Sequence, residues 1–242
     1  MARRESCQYT KWGTTVMKKD NTFIVGASGF AAEITEYIEN NNLIIQDQTK
    51  ISGYFDTNDN DYSRYSFDAP FLGNETEFDL IENSQIIIAI SNSGLRAKLF
   101  DFFKSKKCKL SSFVHHSCFV SKTSNIAEGA ILCPFVTITA NVTIGVGFQA
   151  NIYSYIAHDC VIGDYVTFAP AVKCNGNVEI GDNVYIGTGA IIKQGKNNRP
   201  LKVGKNAIIG AGAVVTKNVP EGKTVFGNPA IELTKENLRR RS

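Results

Sequence analysis

The chain has 242 residues, 43% of them apolar and 20% charged, with a net charge of +3. That charge gives no reason to expect a nucleic-acid partner, and the Arg239-Arg240-Arg241 tail reads as a solvated terminus. No run of 18 apolar residues exists, so neither a membrane span nor a signal peptide is expected, and six cysteines without a C-x-x-C pair read as reduced thiols of a cytoplasmic protein.

Residues 1–20 carry no periodic pattern and are expected to be a disordered leader. Thr22-Phe-Ile-Val25 then reads as a buried strand, followed by the turn Gly26-Ala-Ser28-Gly29-Phe30 and a helical pattern through Ala31, Ile34 and Ile38. Strand, glycine turn and helix open a βαβ unit whose backbone N–H groups face an anion. The G-x-x-G spacing does not match the G-x-G-x-x-G of dinucleotide sites, which argues against a nicotinamide cofactor. A second strand, Ile51 to Phe55, ends on Asp56, which either meets a ribose or base edge or is a solvated acidic turn. Gln85 to Ile90 has the continuous apolar character of a central parallel strand and ends in Ser91-Asn92-Ser93, a capping sequence for a helix carrying Leu95, Leu99 and Phe103. Ligands of such sheets lie beyond the C-terminal strand ends, so Gly26 to Gly29, Asp56, Ser91 and Asn92 are expected to share one crevice.

From Val114 to Ile192 every sixth residue is apolar, fourteen positions without a gap. At this composition the chance is roughly 10⁻⁵ per starting point. Period six is the signature of a parallel β-helix, one inward side chain per side, and the ladder resumes at Val203, Ile209 and Val215 after an interruption at Gln194 to Lys202. Residues two before the ladder positions, such as Ser124, Ala130, Val136, Val142, Ser154, Cys160, Val166 and Val172, are small or branched, which suits a second inward register. Gly145, Gly163, Gly181 and Gly187 directly follow it, as required by unusual φ or close backbone approach. The expected architecture is therefore a small Rossmann-like α/β domain (21–111), a β-helix (112–231) and a tail (232–242).

The chain has three histidines, and His115 and His116 fall at the start of the prism. His158 lies two residues past ladder Ile156, off the inward register, and precedes Asp159, a carboxylate able to fix its tautomer and raise its basicity as a general base. Three sides of six residues make a coil of eighteen, so Gly176 lies on the next coil, where its backbone N–H is an oxyanion donor. Asn151, one side earlier, is a candidate to present an amide to the same site. Cys160 and Cys174 fall on inward registers and read as packing residues.

The pattern Asn151…Ile-Ala-His158-Asp-Cys-Val-Ile-Gly-Asp…Cys-Asn-Gly176-Asn-Val…Ile-Ile-Gly-Ala-Gly-Ala-Val-Val…Gly-Asn-Pro-Ala resembles the left-handed β-helix sugar acetyltransferases, both the PglD-type nucleotide-aminosugar N-acetyltransferases and the NeuD-type sialic-acid O-acetyltransferases. The resemblance covers about Phe23 to Ile231. It implies a homotrimer with active sites between prisms, acetyl-CoA as co-substrate without a metal, and a UDP-, dTDP- or GDP-aminosugar as acceptor. It implies that His158 is the base and Asp159 its partner. Gly176, Thr167, Thr188, Ala211, Gly212, Gly227 and Pro229 would hold acetyl-CoA, and Gly26, Ser28, Gly29, Phe30, Asp56 and Thr57 the nucleotide-sugar. Phe30, Ala157 and Thr167 depart from the family pattern, which commonly has His, Glu and His there.

Overall fold

The computed structural model describes residues 21–78, 82–196 and 198–239; the expected leader lies outside them. Residues 21–111 build a parallel sheet in the order β2-β1-β3-β4 from β1 (Thr22–Val25), β2 (Ile51–Phe55), β3 (Gln85–Ile88) and β4 (Lys109–Leu110). Helix α1 (Gly29–Ile45) buries Ala31, Ile34 and Ile38 on one face, and α2 (Ser93–Ser105) buries Leu99, Phe100 and Phe103 on the other. Strand order reverses at β1, so a crevice opens beyond its C-terminal end and that of β3. One expectation for α2 is corrected. Leu95 is exposed, and the buried stripe is Arg96, Leu99, Phe100 and Phe103, at the i, i+3, i+4, i+7 spacing of a single helix face.

From Phe113 onward two- and three-residue strands stack into three sheets of eight, six and five strands. Neighbours pair eighteen residues apart, Ala150 with Phe168 and Ile156 with Cys174, and after the interruption twenty-three apart, Ile186 with Ile209. The ladder is buried from Leu132 to Ile192 and again at Val203, Ile209 and Val215, while Val114, Val120 and Ile126 close the lower end half-buried. Burying each large apolar side chain contributes ~1.5–3 kcal/mol. The stacked core is thus continuous.

The corners have their own period. Positive φ recurs at eleven positions in steps of six, from Gly129 to Gly189, three residues past each ladder position. Phe135, Tyr153, Tyr165, Ala171 and Asp159 take it besides glycine and asparagine, at roughly 1–2 kcal/mol for an ordinary L-residue, because the coil dictates the conformation. The glycines directly after the ladder have ordinary φ and serve close approach: a Cβ on Gly163 would stand 2.7 Å from Asp182 N of the next coil. In the interruption Lys196 and Arg199 exchange backbone hydrogen bonds, and the strand resumes at Leu201, within the expected interruption, with Val203 on the inward ladder as expected. Beyond Phe226 the chain turns back as an antiparallel strand, Ile231–Glu232, and ends in a short helix α3 (Lys235–Arg239).

Both helices of the first domain rest on the lower half of the eight-stranded prism sheet. On the α1 side, Phe113, Ile131, Cys133 and Ile152 join the cluster of Ile24, Ala31 and Ile34. Asn41 donates to Val114 O at 3.0 Å and accepts His116 N–H at 2.9 Å, and Asn40 Oδ1 meets Nε2 of both His115 and His116. On the α2 side Phe100 packs edge-on to Tyr165, with ring centroids 5.2 Å apart. Among the described residues no helix is long and apolar enough to cross a membrane.

His115 couples this junction to pH. Ser117 N–H donates to its Nδ1, which puts the ring proton on Nε2, toward Asn40. Burial first, and the neighbouring His116 second, hold its pKa below the usual 6.5. The unfolded chain therefore binds this proton more readily, so the stability carried by the neutral ring is fully present above about 6.5 and is lost as pH falls toward the folded value. The melting temperature should drop between pH 7.5 and 5.5, and less so in His115→Gln; equal drops in calorimetric scans would contradict this.

Candidate active site

His158 and Gly176 occupy the same corner position on successive coils, two residues past ladder Ile156 and ladder Cys174. Asp159 follows at φ 60°, in the left-handed conformation that makes the corner and that Asp tolerates better than most residues. Its Oδ2 lies 2.7 Å from His158 Nδ1, and its Oδ1 accepts from Asn141 Nδ2 at 3.3 Å. The hydrogen bond from His158, then that from Asn141, holds the Asp159 carboxyl below the usual carboxylate range. A charged carboxylate at Nδ1 keeps the proton there and leaves Nε2 free as a base.

Nε2 points to where Gly176 lacks a side chain: a Cβ built there would stand 2.7 Å from both Nε2 and Cε1. Glycine is thus required for the ring to lie in place, a reason beyond its bare N–H. Among the described residues no protein acceptor takes the Gly176 N–H, whereas its carbonyl accepts from Gly195. The interruption therefore covers the His158 and Gly176 corner from above, with Asn177 Nδ2 donating to Lys196 O at 2.6 Å. Cys160 is buried and its Sγ donates to Asn175 O, consistent with packing.

A second group of expected residues lies on another edge. Asn151, Thr188, Ala211, Gly212, Gly227 and Pro229 all follow strands of the eight-stranded sheet, at the corner before the six-stranded one. Gly212 N–H donates to Thr188 O, and a Cβ at Gly212 would meet nothing within 4 Å, so this edge presents bare, open backbone. Within one chain Asn151 is not brought to His158. Its Oδ1 accepts from Ile152 N–H, and the two residues sit on neighbouring edges.

Thr167 stands apart from both groups. It is buried where the α/β domain meets the prism, accepting from Arg96 Nη2 at 2.8 Å and donating to Ser91 O at 3.3 Å. In the crevice the Asp56 carboxylate accepts from Ala27 N–H at 2.9 Å and Thr57 N–H at 2.7 Å, so it braces the glycine turn instead of standing as a solvated loop residue. Gly26 closes against Ala89 and Ile90, Ser28 starts α1 without a capping bond from its hydroxyl, Phe30 packs on the α1 cluster, and the Tyr65 hydroxyl lies over Gly29. Asn92 Oδ1 caps α2 through Leu95 N–H at 2.9 Å, and Ser91 and Asn92 are both exposed residues, with no protein acceptor for either N–H among the described residues. Cavities of about 410 and 530 Å³ lie elsewhere, at the opposite strand ends beside Thr22 and Lys109 and next to α1 beside Tyr54.

Two residues escaped the sequence reading. Asn141 is eighteen before Asp159, a spacing the coil period makes legible. Arg96 hid among the apolar residues of α2. It is fully buried, and burial lowers its pKa to about 10, still charged at neutral pH.

The family described as PglD N-terminal domain matches residues 21–103. The GDP-perosamine N-acetyltransferase of Escherichia coli O157:H7 is 54% identical over 146 residues, 60% of this chain and 66% of that protein, just short of two thirds of its length. WeeI from Acinetobacter baumannii AYE is 42% identical and superposes with a TM-score of 0.78 over 88% of this chain and 99% of that one. The chain belongs to the PglD-type left-handed β-helix sugar acetyltransferases. The same fold, at 24% identity and a TM-score of 0.76 over 88% and 97% of the two chains, is that of PerB from Caulobacter crescentus in complex with CoA and GDP-perosamine.

In this acetyltransferase a methyl at Gly176 would force the His158 ring aside. Gly176→Ala should keep the fold but lower kcat by roughly 10²-fold, the scale of an ångström-sized misplacement. Steady-state kinetics beside a circular dichroism melt checks this, and an unaltered kcat would show that the ring need not lie there.

Proposed function

We propose that the protein moves the acetyl group of acetyl-CoA to the amine of a nucleotide-linked 4-amino sugar. The observation that carries this is His158 Nε2 lying over Gly176 while Asp159 holds Nδ1. The amine nitrogen attacks the thioester carbon, His158 Nε2 takes the proton it loses, and Gly176 N–H stabilises the oxyanion. Collapse breaks the C–S bond, and the proton passes to the departing CoA sulfur.

The His158 side chain is 53% exposed in the single chain. A base in open water gains little from preorganised donors, because solvent competes for each. The open backbone edge at Thr188 and Gly212 and the catalytic edge at His158 are different edges of one prism, so they meet only across two chains. A homotrimer of parallel prisms pairs them three times, with acetyl-CoA between, covered by the loop that carries Lys196 and Arg199. The nucleotide-sugar lies with its diphosphate at the Gly26 to Gly29 turn and Ser91-Asn92 and its amine toward His158. The identity to a GDP-perosamine N-acetyltransferase supports a GDP-linked sugar in a glycan-building route, and the reduced cysteines fit a cytoplasmic location.

His158→Ala should lower turnover by ~10²–10⁴-fold with the oligomer intact, the usual contribution of a general base. Free-thiol release would be followed with GDP-, UDP- and dTDP-linked 4-amino sugars and their hydroxyl counterparts. Turnover confined to hydroxyl acceptors, or full activity of the variant, would overturn the reading. Lys196→Ala with Arg199→Ala should raise KM for acetyl-CoA and leave KM for the nucleotide-sugar unchanged.

A further inference from the structure

Arg96 sits between the two domains with no exposed surface and no carboxylate partner among the described residues. Its six hydrogen bonds all go to neutral oxygens. Nε donates to Gly147 O at 2.9 Å, Nη1 to Ile90 O at 2.7 Å, Ser91 O at 3.1 Å and Gln149 Oε1 at 3.2 Å, and Nη2 to Tyr165 O at 2.7 Å and Thr167 Oγ1 at 2.8 Å. Every donor is satisfied, but the charge is not neutralised. An ionised group in a low-dielectric interior without a counter-charge is costly, and its field reaches the nearest anion weakly screened.

The two domain-side acceptors are consecutive carbonyls of the loop that ends β3. In a planar trans peptide N–H and C=O point in opposite directions. Holding Ile90 O and Ser91 O toward the guanidinium therefore turns the N–H groups of Ser91 and Asn92 to the opposite face of the loop. Both residues are exposed, and neither N–H donates to a protein acceptor among the described residues. Thr167 Oγ1, donating to Ser91 O, and Gln149 Nε2, donating to Ile88 O at 2.8 Å, hold the same strand end from the prism.

We infer that Arg96 is a positioning residue for the acceptor substrate: it aims the Ser91 and Asn92 N–H groups at the diphosphate of the nucleotide-sugar and places an uncompensated positive charge behind them. This rests on the nucleotide-sugar reading above. It makes the bound diphosphate the counter-charge that the buried guanidinium otherwise lacks. The prism also contributes to nucleotide affinity, through the Gly147, Gln149, Tyr165 and Thr167 groups that hold Arg96.

The test compares wild type with Arg96→Gln and Arg96→Lys in the full chain. Arg96→Gln should raise KM for the nucleotide-aminosugar and Kd for GDP or UDP by about 10-fold or more, as truncating a buried hydrogen-bonded charge does, while KM for acetyl-CoA stays unchanged. Arg96→Lys, which keeps the positive charge, should recover part of the nucleotide affinity that Arg96→Gln loses. A folded Arg96→Gln with unchanged nucleotide affinity, or with equal losses for nucleotide and acetyl-CoA, would make Arg96 a structural tie only. If the variants do not fold, selectively ¹⁵N-labelled wild type decides: the Ser91 and Asn92 amide resonances should move on adding GDP or UDP and not on adding CoA, and unmoved resonances overturn the proposal. Wild type that binds none of GDP, UDP and dTDP would overturn the functional reading itself.

Discussion

The eighteen-residue coil is the constraint on which the rest of this molecule depends. Once three six-residue sides close a turn, each residue stands over those eighteen before it, at strand spacing, whatever its chemistry. That rule stacks Gly176 on His158 and Asp159 on Asn141, so base, donor and orienting carboxylate need no loop to bring them together. It also accounts for the left-handed φ at Asp159, a conformation shared by every corner of the series. The His158 and Gly176 pair is thus held by the same backbone periodicity that buries the core. Rigidity of that kind suits a site whose work is to aim groups at a developing charge.

The α/β domain is placed by a different kind of contact. Apolar clusters around Ile131 and Phe100 supply area, but area alone tolerates sliding. Direction comes from polar groups that are costly to leave unpaired: the Asn40 and Asn41 clasp on His115 and His116, and the Arg96 fan across two successive prism coils. Arg96, Asn41 and His115 are buried, where water cannot substitute for a lost partner, whereas Asn40 and His116 lie at the exposed rim. A shift of either helix would strand several donors at once, and the crevice at Gly26 and Ser91 is consequently held in one relation to the prism edges.

In a single chain the site residues form three separate groups. They are the strand-end crevice, the bare-backbone edge at Gly212 and the edge at His158, and the proposed reaction would draw on all three. A triangular prism separates its edges by construction, so no rearrangement within one chain unites them. Under the proposed trimer, neighbouring chains would bring them together and shield the exposed imidazole from water.

The sequence by itself determined whatever is repetitive. Period six fixed the prism, its inward registers and the interruption after Ile192, and eighteen-residue spacing paired His158 with Gly176, because a coil converts sequence separation directly into spatial neighbourhood. Strand, glycine turn and helix likewise fixed the first domain, since those signals are local. Only the tertiary structure decided what depends on contacts between the two halves. It showed that Asp56 braces the glycine turn, that Thr167 belongs to the domain junction, that Asn151 sits on another edge from His158, and that Arg96 in place of Leu95 faces inward on α2. Those positions follow from how one helix face meets one prism face. Such a meeting is set by long-range packing and hydrogen-bond satisfaction, and no local period records it.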